Sequence, residues 1–404
     1  MKLFLILFAS LSLHAGDSVK MNFQKGDRAP LSLINSKTIE STPAGEQAQV
    51  SLNWKLDPAT EINLKNQGMS TLSKYYRQTI EPESLFSGIP LTISAKEAVV
   101  HLQILAPKGE SISRDDANAI QLDRLILVDS KESLHEGAAV LEALRPDQKE
   151  RAWSASNSAF RLSSSLGTGS FTLHLDEYGA TFPIQVTVFE KQSPFELEVA
   201  TTLTNFYAGE TFQADLTFKG NEKQDFVHTA QAYLVSPDGR QRIAMRVAGN
   251  QVMGSLPRLA SIQPGLWELH FDGSFEIAGQ KVQRSARLAF GLTVPTGRFE
   301  PMVNYHFNKE GQLALDFGIE IGVPGRYEVK GLLYAMNAEK KSVPIAVFNS
   351  AAFFKQSGRM ELLIDKETLQ LADFQGPYQV KGLTLKDQSR MQVLSHLTDA
   401  FSVN

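Results

Sequence analysis

Cysteine is absent from the chain of 404 residues. Its absence excludes disulfide bonds and metal sites built on thiolate ligands. It also excludes a lipoprotein, because the lipid of such proteins is attached to a cysteine. A chain of this length can bury enough apolar surface to fold without disulfides, so the lack of cysteine does not argue against export.

Long apolar runs are missing after the first 13 residues. Positively charged Lys2, an apolar run from Leu3 to Leu13 and the small residue Ala15 follow one another in the order typical of a secretory signal peptide. We predict a signal peptide at residues 1–15; the alternative is a buried N-terminal strand. Because no later run is long enough for a transmembrane helix, we expect a secreted or periplasmic protein without membrane insertion.

Clustered positive charge is missing as well. The formal net charge is −4, and residues of both signs are scattered along the chain. Phosphate backbones and anionic lipids are bound by clustered lysine and arginine, so we expect neither nucleic acid nor a charged membrane surface as a partner. We expect a monomer that binds a protein or a glycan.

Most of the chain shows an alternation of apolar and polar residues with a period of two. Turn signals rich in proline and glycine, such as Pro237-Asp238-Gly239, separate the alternating segments. This pattern is typical of β-sandwiches with one strand face in the core. The clearest runs contain Val50-Leu52-Trp54-Leu56, Ile184-Val186-Val188, Phe195-Leu197-Val199 and Ala214-Leu216-Phe218.

Helical spacing is rare and confined to the N-terminal half. Leu134, Ala138, Leu141 and Leu144 predict a helix over 132–144, ended by a following proline. Residues 70–76 are a second candidate. The fold class predicted is therefore mainly β: tandem immunoglobulin-like β-sandwiches preceded by a less regular, mostly β N-terminal domain with one or two short helices.

Three segments repeat one local signature, in which a tight turn leads to an aromatic residue and then to an alternating strand. The aromatic residue is expected to pack between two sheets, which needs no ligand to explain it. The segments are Pro264-Gly265-Leu266-Trp267, Pro324-Gly325-Arg326-Tyr327 and, more loosely, Gly376-Pro377-Tyr378.

Two short polar links divide the mature chain. They lie at 190–194 and at 295–297, each directly after an alternating strand. We predict an N-terminal domain at 16–193 and two immunoglobulin-like domains at 194–294 and 295–404. Each of the last two has a normal length for such a sandwich.

Four motifs are spread along the mature chain: Lys74-Tyr75-Tyr76-Arg77, Ser236-Pro237-Asp238-Gly239-Arg240, Gly325-Arg326-Tyr327-Glu328-Val329 and Leu385-Lys386-Asp387-Gln388-Ser389-Arg390-Met391. On these motifs the chain resembles an exported family of Gram-negative bacteria described only as a domain of unknown function. The resemblance covers most of the mature chain and implies export, an N-terminal domain and two immunoglobulin-like domains, but no reaction. The family usually has a tryptophan where Phe353 or Phe354 stands and an arginine–aspartate pair near Lys381-Gly382.

The sequence has no recognisable catalytic motif. No pair of histidines has the spacing of a zinc protease, and the serine-rich segment 163–170 lacks the spacing of a nucleophile elbow. We interpret that segment as a hairpin between the strands on either side of it. Asp115 and Asp116 are candidate ligands for calcium or another divalent ion, because such ions bind carboxylate oxygens; the alternative is a helix or turn start. No other cofactor is expected.

Tyr75, Tyr76 and Arg77 are the candidate binding residues. Two adjacent aromatic side chains and a cation cannot all face one core, and such residues are enriched at binding interfaces. The alternative is that one tyrosine packs inward and the other lies on the surface.

Three functions are compatible with these observations. We favour an exported non-catalytic binding or interaction protein that recognises a protein or a surface glycan, including a secreted effector. The first alternative is a secreted hydrolase whose site lies in the N-terminal domain. The second is a periplasmic structural or chaperone-like protein that pairs client strands with an open sheet edge.

Overall fold

A computed structural model describes the greater part of the chain. The predicted signal peptide and the candidate metal ligands Asp115 and Asp116 lie outside the described residues. Within the described part, no helix is both long and apolar enough to cross a membrane. The described residues are 17–35, 46–64, 68–107, 110–113, 124–143, 157–175, 182–220, 229–258, 265–277, 279–369 and 375–404.

Strands dominate every part of the structure, which confirms the predicted mainly β fold. The first three strands come before those of the first domain in the chain. They are β1 (Asp17–Lys20), β2 (Val50–Lys55) and β3 (Met69–Ser73).

The first domain packs a five-stranded sheet, in the order β4-β12-β6-β10-β9, against a four-stranded sheet, in the order β5-β11-β7-β8. Alternate residues of these strands point into one core, as on Val99–Ile104, where every second side chain is buried. The strands are β4 (Tyr75–Ile80), β5 (Ile89–Ile93), β6 (Val99–Ile104), β7 (Leu125–Asp129), β8 (Leu134–Glu136), β9 (Leu141–Ala143), β10 (Asn157–Leu162), β11 (Gly169–Leu175) and β12 (Ile184–Phe189).

The second domain is one nine-stranded sheet, in the order β14-β20-β19-β16-β17-β18-β15-β13-β3, whose inner face encloses a separate core. Its β15 follows the predicted alternation, because Phe212, Ala214, Leu216 and Phe218 are all buried. The strands are β13 (Glu196–Thr201), β14 (Asn205–Tyr207), β15 (Thr211–Lys219), β16 (Thr229–Val235), β17 (Arg242–Ala248), β18 (Gln251–Ser255), β19 (Trp267–Ile277) and β20 (Gln280–Thr293).

The third domain packs the sheet β1-β21-β22-β25 against the sheet β2-β24-β23-β26-β27 around a third core. Its strands are β21 (Gly297–Phe307), β22 (Leu313–Ile321), β23 (Gly325–Met336), β24 (Ser342–Phe354), β25 (Gly358–Ile364), β26 (Gln375–Asp387) and β27 (Gln392–Val403). Three one-turn α-helices complete the described elements of the chain: Pro82–Leu85, Gly137–Val140 and Lys366–Leu369.

The first three strands join the sheets of the second and third domains. β1 pairs with β21, β2 pairs with β24, and β3 pairs with β13. The segment 17–73, which the sequence analysis placed in the domain 16–193, therefore contributes its strands to the other two domains.

The repeated turn and aromatic signature has the expected structure at two of its three positions. Trp267 and Tyr327 are buried in the cores of the second and third domains. The hydroxyl of Tyr327 donates to the carbonyl oxygens of Val323 and Thr296, at 2.6 and 3.0 Å, so its polar end is satisfied inside the core. Tyr378 is only half-buried.

The helix predicted at 70–76 is wrong, because these residues are divided between β3 and β4. The helix predicted at 132–144 is confirmed only as one turn: of the described residues 132–143, Gly137–Val140 are helical. Within the segment 132–144, Leu134 is 74% exposed although Leu141 is buried, so these two leucines at helical spacing do not share one buried face. Strand pairing has overridden the local spacing.

The predicted hairpin at 163–170 is also wrong. β10 pairs with β6 and β9, whereas β11 pairs with β5 and β7, so the segment crosses from one sheet of the first domain to the other. Ser164–Leu166 form a single 3₁₀ turn at this crossing, and the hydroxyl of Ser163 accepts a hydrogen bond from the backbone N–H of Ser165.

Candidate functional site

A groove with a volume of about 720 Å³ lies between the first and second domains. Its floor is the outer face of the second-domain sheet, formed by β16, β19 and β20 with the beginning of β17. Its wall is β4, the edge strand of the five-stranded sheet of the first domain.

The register of the antiparallel strands builds the floor in rows. Tyr233 lies opposite His270, and His270 lies opposite Arg287, so one row crosses three strands. The neighbouring row consists of Gln231, Asp272 and Ser285. Because side chains alternate between the two faces of a strand, all six point away from the core of the second domain. Their backbone positions are fixed by the ladder.

The wall is fixed to the floor by hydrogen bonds. The backbone N–H of Arg77 donates to Oγ of Ser285 at 2.8 Å, and Oγ of Ser285 donates to Oδ1 of Asp272 at 2.5 Å. The hydroxyl of Ser73 also donates to the backbone carbonyl oxygen of Ser285. β4 therefore lies along β20 without a continuous ladder of backbone hydrogen bonds. On its outer edge, the backbone N–H of Arg77 is already bonded to Ser285.

The strand β4 divides the two adjacent tyrosines between two environments. Tyr75 and Arg77 are half-buried and line the groove. Tyr76 is only 2% exposed and belongs to the core of the first domain, where its hydroxyl oxygen accepts the backbone N–H of Thr92 at 2.9 Å. Burial raises the pKa of the Tyr76 hydroxyl, so it stays neutral.

A buried polar cluster lies directly behind the floor and joins the two domains. Nη1 of Arg284 lies 2.6 Å from Oε2 of Glu190, and both side chains are completely buried. The guanidinium also donates to Oγ of Ser193 at 2.7 Å and to the carbonyl oxygen of Phe195 at 2.9 Å. Glu190 in turn accepts the backbone N–H and the hydroxyl of Ser94. Burial lowers the pKa of Arg284, and the Glu190 carboxylate opposes that change.

The exposed side of the groove is cationic. Arg77, Arg242 and Arg287 line it together with one acidic residue, Asp272. Among the described residues, none of these three arginines forms an ion pair with a carboxylate, in contrast to the buried arginine behind them. Arg242 instead lies over the ring of Tyr233, 5.1 Å from its centroid.

Arg77 is in an unfavourable position. Its Nε is buried and has no hydrogen-bond partner among the described residues. Burial lowers the pKa of its guanidinium, and the like charge of Arg287 lowers it further. An unsatisfied buried donor beside a like charge costs stability, so it calls for a physical explanation.

Two histidines, His270 in the floor of the groove and His101 on β6 of the first domain, have depressed pKa values. Burial is the main cause for His270, with Arg287 adding to it and the hydrogen bond to Glu268 opposing it. Nε2 of His270 lies 2.7 Å from Oε2 of Glu268. The pKa of His101 is lowered by burial and then by Arg77. Both rings are therefore neutral at pH 7.

Comparison with known proteins assigns the chain to a family. The N-terminal domain of the family DUF4785, a domain of unknown function, matches residues 41–190, and its C-terminal domain matches residues 296–404. The chain belongs to the DUF4785 family. No curated protein matches it.

A solved structure of a DUF4785 family protein from Legionella pneumophila has the same overall fold. It is 18% identical, has a TM-score of 0.67, and the match covers 90% of this chain and 97% of that one. Native E. coli alpha-2-macroglobulin is 11% identical over 84% of this chain and 20% of its own, with a TM-score of 0.28, which is too low to indicate a shared fold.

Two smaller cavities occur elsewhere in this DUF4785 protein. One of about 420 Å³ lies between the second and third domains and is lined by Arg28, Tyr207 and His396. The other, of about 320 Å³, lies in the first domain beside Glu97 and Glu142. Glu142 pairs with Arg161 at 3.2 Å, and Glu97 accepts a hydrogen bond from Gln192 at 3.0 Å.

The described residues of this DUF4785 protein do not assemble a metal centre. Within those residues, no group of three or more histidine and acidic side chains could hold a metal ion. In the groove, the hydroxyl of Ser285 bonds to Asp272, and His270 bonds to Glu268. The groove, which three exposed or half-buried arginines line between two domains, is the candidate binding site.

All three predicted binding residues of this DUF4785 protein border the groove, but the side chain of Tyr76 points into the core of the first domain, whereas those of Tyr75 and Arg77 are half-buried. Their binding role stays a prediction. Sequence reasoning missed Tyr233, His270 and Arg287, whose signal was weak, because each is one outward-facing residue on a separate strand. Only the register of three strands shows that they form one row.

Proposed function

We propose that this DUF4785 protein is an exported, non-catalytic binding protein whose ligand lies in the groove between its first and second domains. Ligand sites are typically concave, lie at domain interfaces and have volumes of about 300–1,000 Å³. The groove of about 720 Å³ has that position and that size. Export is inferred from the signal-peptide pattern of residues 1–15. The mature protein is compatible with the periplasm and with the culture supernatant.

The observation that carries this proposal is the set of unpaired arginines. Arg77, Arg242 and Arg287 face one groove without carboxylate partners among the described residues, and Arg77 also leaves a buried donor unsatisfied. The buried Nε of Arg77, beside the like charge of Arg287, costs stability, whereas Arg242 and Arg287 are exposed to solvent. Positions that lower the stability of the folded protein are expected at functional sites.

The chaperone-like alternative needs an open sheet edge. On the edge strand β2, the side-chain amide of Asn53 donates to the carbonyl oxygen of Leu363 on β25, at 2.9 Å, and Gln49 beside it reaches Glu361. These side chains bridge β2 to β25 and hinder strand addition at that edge, which favours the binding function.

An array of glycans and peptides, probed with the purified mature chain, tests the proposal. Gln283, half-buried on β20, lines the groove, so Gln283→Trp fills it. Gln213 is exposed on β15, in the same domain but outside the groove, and Gln213→Trp is the matched control. We expect the wild-type chain and Q213W to retain the same probes and Q283W to lose them.

The proposal fails if no probe is retained by the wild-type chain, or if Q283W retains its probes as well as Q213W does. Cleavage of a retained probe would support the hydrolase alternative. Fractionation of the native host would show whether the mature protein lies in the periplasm or in the culture supernatant.

A further inference from the structure

We infer that the ligand of the groove is an acidic oligosaccharide that carries several carboxylate groups. This inference rests on the proposed function, because it names the chemical class of the ligand of that same groove.

The charge of the groove is opposite to that of the chain. The chain carries a formal charge of −4, yet the groove exposes three arginines and one aspartate. A guanidinium presents its donors in a planar fork that matches a carboxylate. Unpaired guanidinium groups at Arg77, Arg242 and Arg287 therefore favour an anionic ligand over a neutral one.

The arginines are distributed along the groove. In the sheet, the order of strands is β17, β16, β19 and β20, and β4 lies beyond β20. Arg242 lies opposite Val235 on β16, in the row next to that of Tyr233, Arg287 lies three strands away on β20, and Arg77 lies beyond β20. With about 4.8 Å between neighbouring strands, Arg242 and Arg287 stand on strands about 14 Å apart. Cations that start from strands this far apart favour a chain with repeated negative charges over a single carboxylate.

The side chains between the arginines favour a sugar. Three glutamines, Gln185, Gln231 and Gln283, line the groove together with serine and threonine hydroxyls. Amides and hydroxyls can both donate and accept hydrogen bonds, as the hydroxyl groups of a sugar require.

A peptide is a less suitable ligand for this groove. Peptides are commonly held by strand addition at a sheet edge with pockets for their side chains. Here the outer edge of β4 is already bonded to Ser285, through the backbone N–H of Arg77. The side chains in the floor row beside it, Gln231, Asp272 and Ser285, are all polar. An acidic peptide is therefore an outcome of the test that would contradict the inference.

The test uses a panel of uronic-acid oligosaccharides of defined length: oligogalacturonate, oligomannuronate, oligoguluronate and hyaluronate oligomers. Each is measured beside its methyl ester, which keeps the sugar chain and removes the negative charges. Hexaglutamate is the peptide probe. Affinities are measured by titration calorimetry at low and at physiological salt with the full mature chain.

We expect at least one acidic oligosaccharide to bind, its methyl ester to bind about tenfold more weakly or not at all, and salt to weaken the binding. Arg287→Gln and Arg242→Gln should each weaken binding about tenfold, the usual effect of losing one charge-assisted hydrogen bond. Arg246→Gln is the matched control. It removes an equal charge from the exposed face of the same strand as Arg242 but lies outside the groove lining, and it should leave the affinity within about twofold.

Four results would overturn the inference. Equal binding of acid and ester would mean that the groove takes a neutral glycan, which leaves the proposed function intact. Equal or tighter binding of hexaglutamate, or no binding of any acidic oligosaccharide, would exclude the sugar class. Equal binding to Gln283→Trp and to the wild-type chain would place the ligand outside the groove and contradict the proposed function as well.

Discussion

Two arginines on β20, three residues apart, have opposite environments. Arg284 points into the junction between the domains, where it is fully buried and bonded to Glu190, Ser193 and Phe195. Arg287 points out into the groove and has no carboxylate partner among the described residues. The first holds two domains together, and the second is available to a ligand. Both residues are arginines, so their roles differ because their side chains leave the strand on opposite sides.

The largest expected effect comes from breaking the inner pair. Glu190→Ala leaves Arg284 charged and buried without its partner, and removing one partner of a buried pair typically costs about 3–5 kcal/mol of unfolding free energy. Denaturant unfolding followed by the fluorescence of buried Trp267 would measure this loss in the second domain.

Glu196→Ala is the control for that measurement. Glu196 pairs with Lys219 at 3.4 Å at the surface of the same domain, and such pairs contribute about 1 kcal/mol or less. Glu190→Gln should be intermediate, because it keeps hydrogen bonds and removes the charge. Similar losses for Glu190→Ala and Glu196→Ala would contradict the structural role of the buried pair.

A second contrast between the inner and the groove-facing side involves the adjacent tyrosines. Tyr76→Phe leaves the buried N–H of Thr92 without an acceptor, so we expect a loss of about 1–3 kcal/mol in the unfolding free energy. Tyr75→Phe should change it by less than about 0.5 kcal/mol, because that side chain borders the open groove. Thermal unfolding of the two variants tests the difference, and a larger effect at Tyr75 would reverse the assignment.

The same strands show how far the sequence could predict the structure. Alternation predicted β15 with its buried face, because both faces of that strand differ strongly in polarity. On β2 the alternation predicted the strand but the wrong environment: Leu52 and Trp54 are 59% and 46% exposed. The polar residues between them bond to neighbouring strands, as Asn53 does. A period of two fixes which residues share a face, and packing decides which face is covered.

The groove could be predicted only in part for the same reason. Tyr75 and Arg77 were recognisable because unlike residues stand next to each other on one strand. Tyr233 and Arg287 belong to strands that are distant in sequence, and each is an ordinary polar position on its own strand. Their proximity depends on the register of β16, β19 and β20, which local periodicity does not encode.

A smaller effect is expected from the groove arginines. Arg287→Gln removes the like charge that lowers the pKa of Arg77, so the unfolding free energy should stay unchanged or rise by up to about 0.5 kcal/mol. Arg284→Gln, three residues away, should instead destabilise the protein strongly, because Glu190 is left unpaired. Unfolding curves of the two variants at low salt would test this. Comparable destabilisation by both changes would mean that Arg287 also has a structural partner.

The smallest effect is a pH dependence of stability arising from His270. Burial and Arg287 hold its folded-state pKa below the unfolded value of about 6.5, so unfolding takes up a proton at mildly acidic pH. Its contribution is therefore fully present above pH of about 6.5 and is lost as the pH falls through the depressed folded-state pKa. The free energy of unfolding between pH 7 and pH 5 should show a shallower pH dependence in His270→Gln than in the wild-type chain.

The exposed His306 gives the control His306→Gln, which should keep the wild-type slope. An unchanged slope in His270→Gln would mean that Glu268 compensates the burial of the ring, and the groove would then contain one more cation when the protein is acidified.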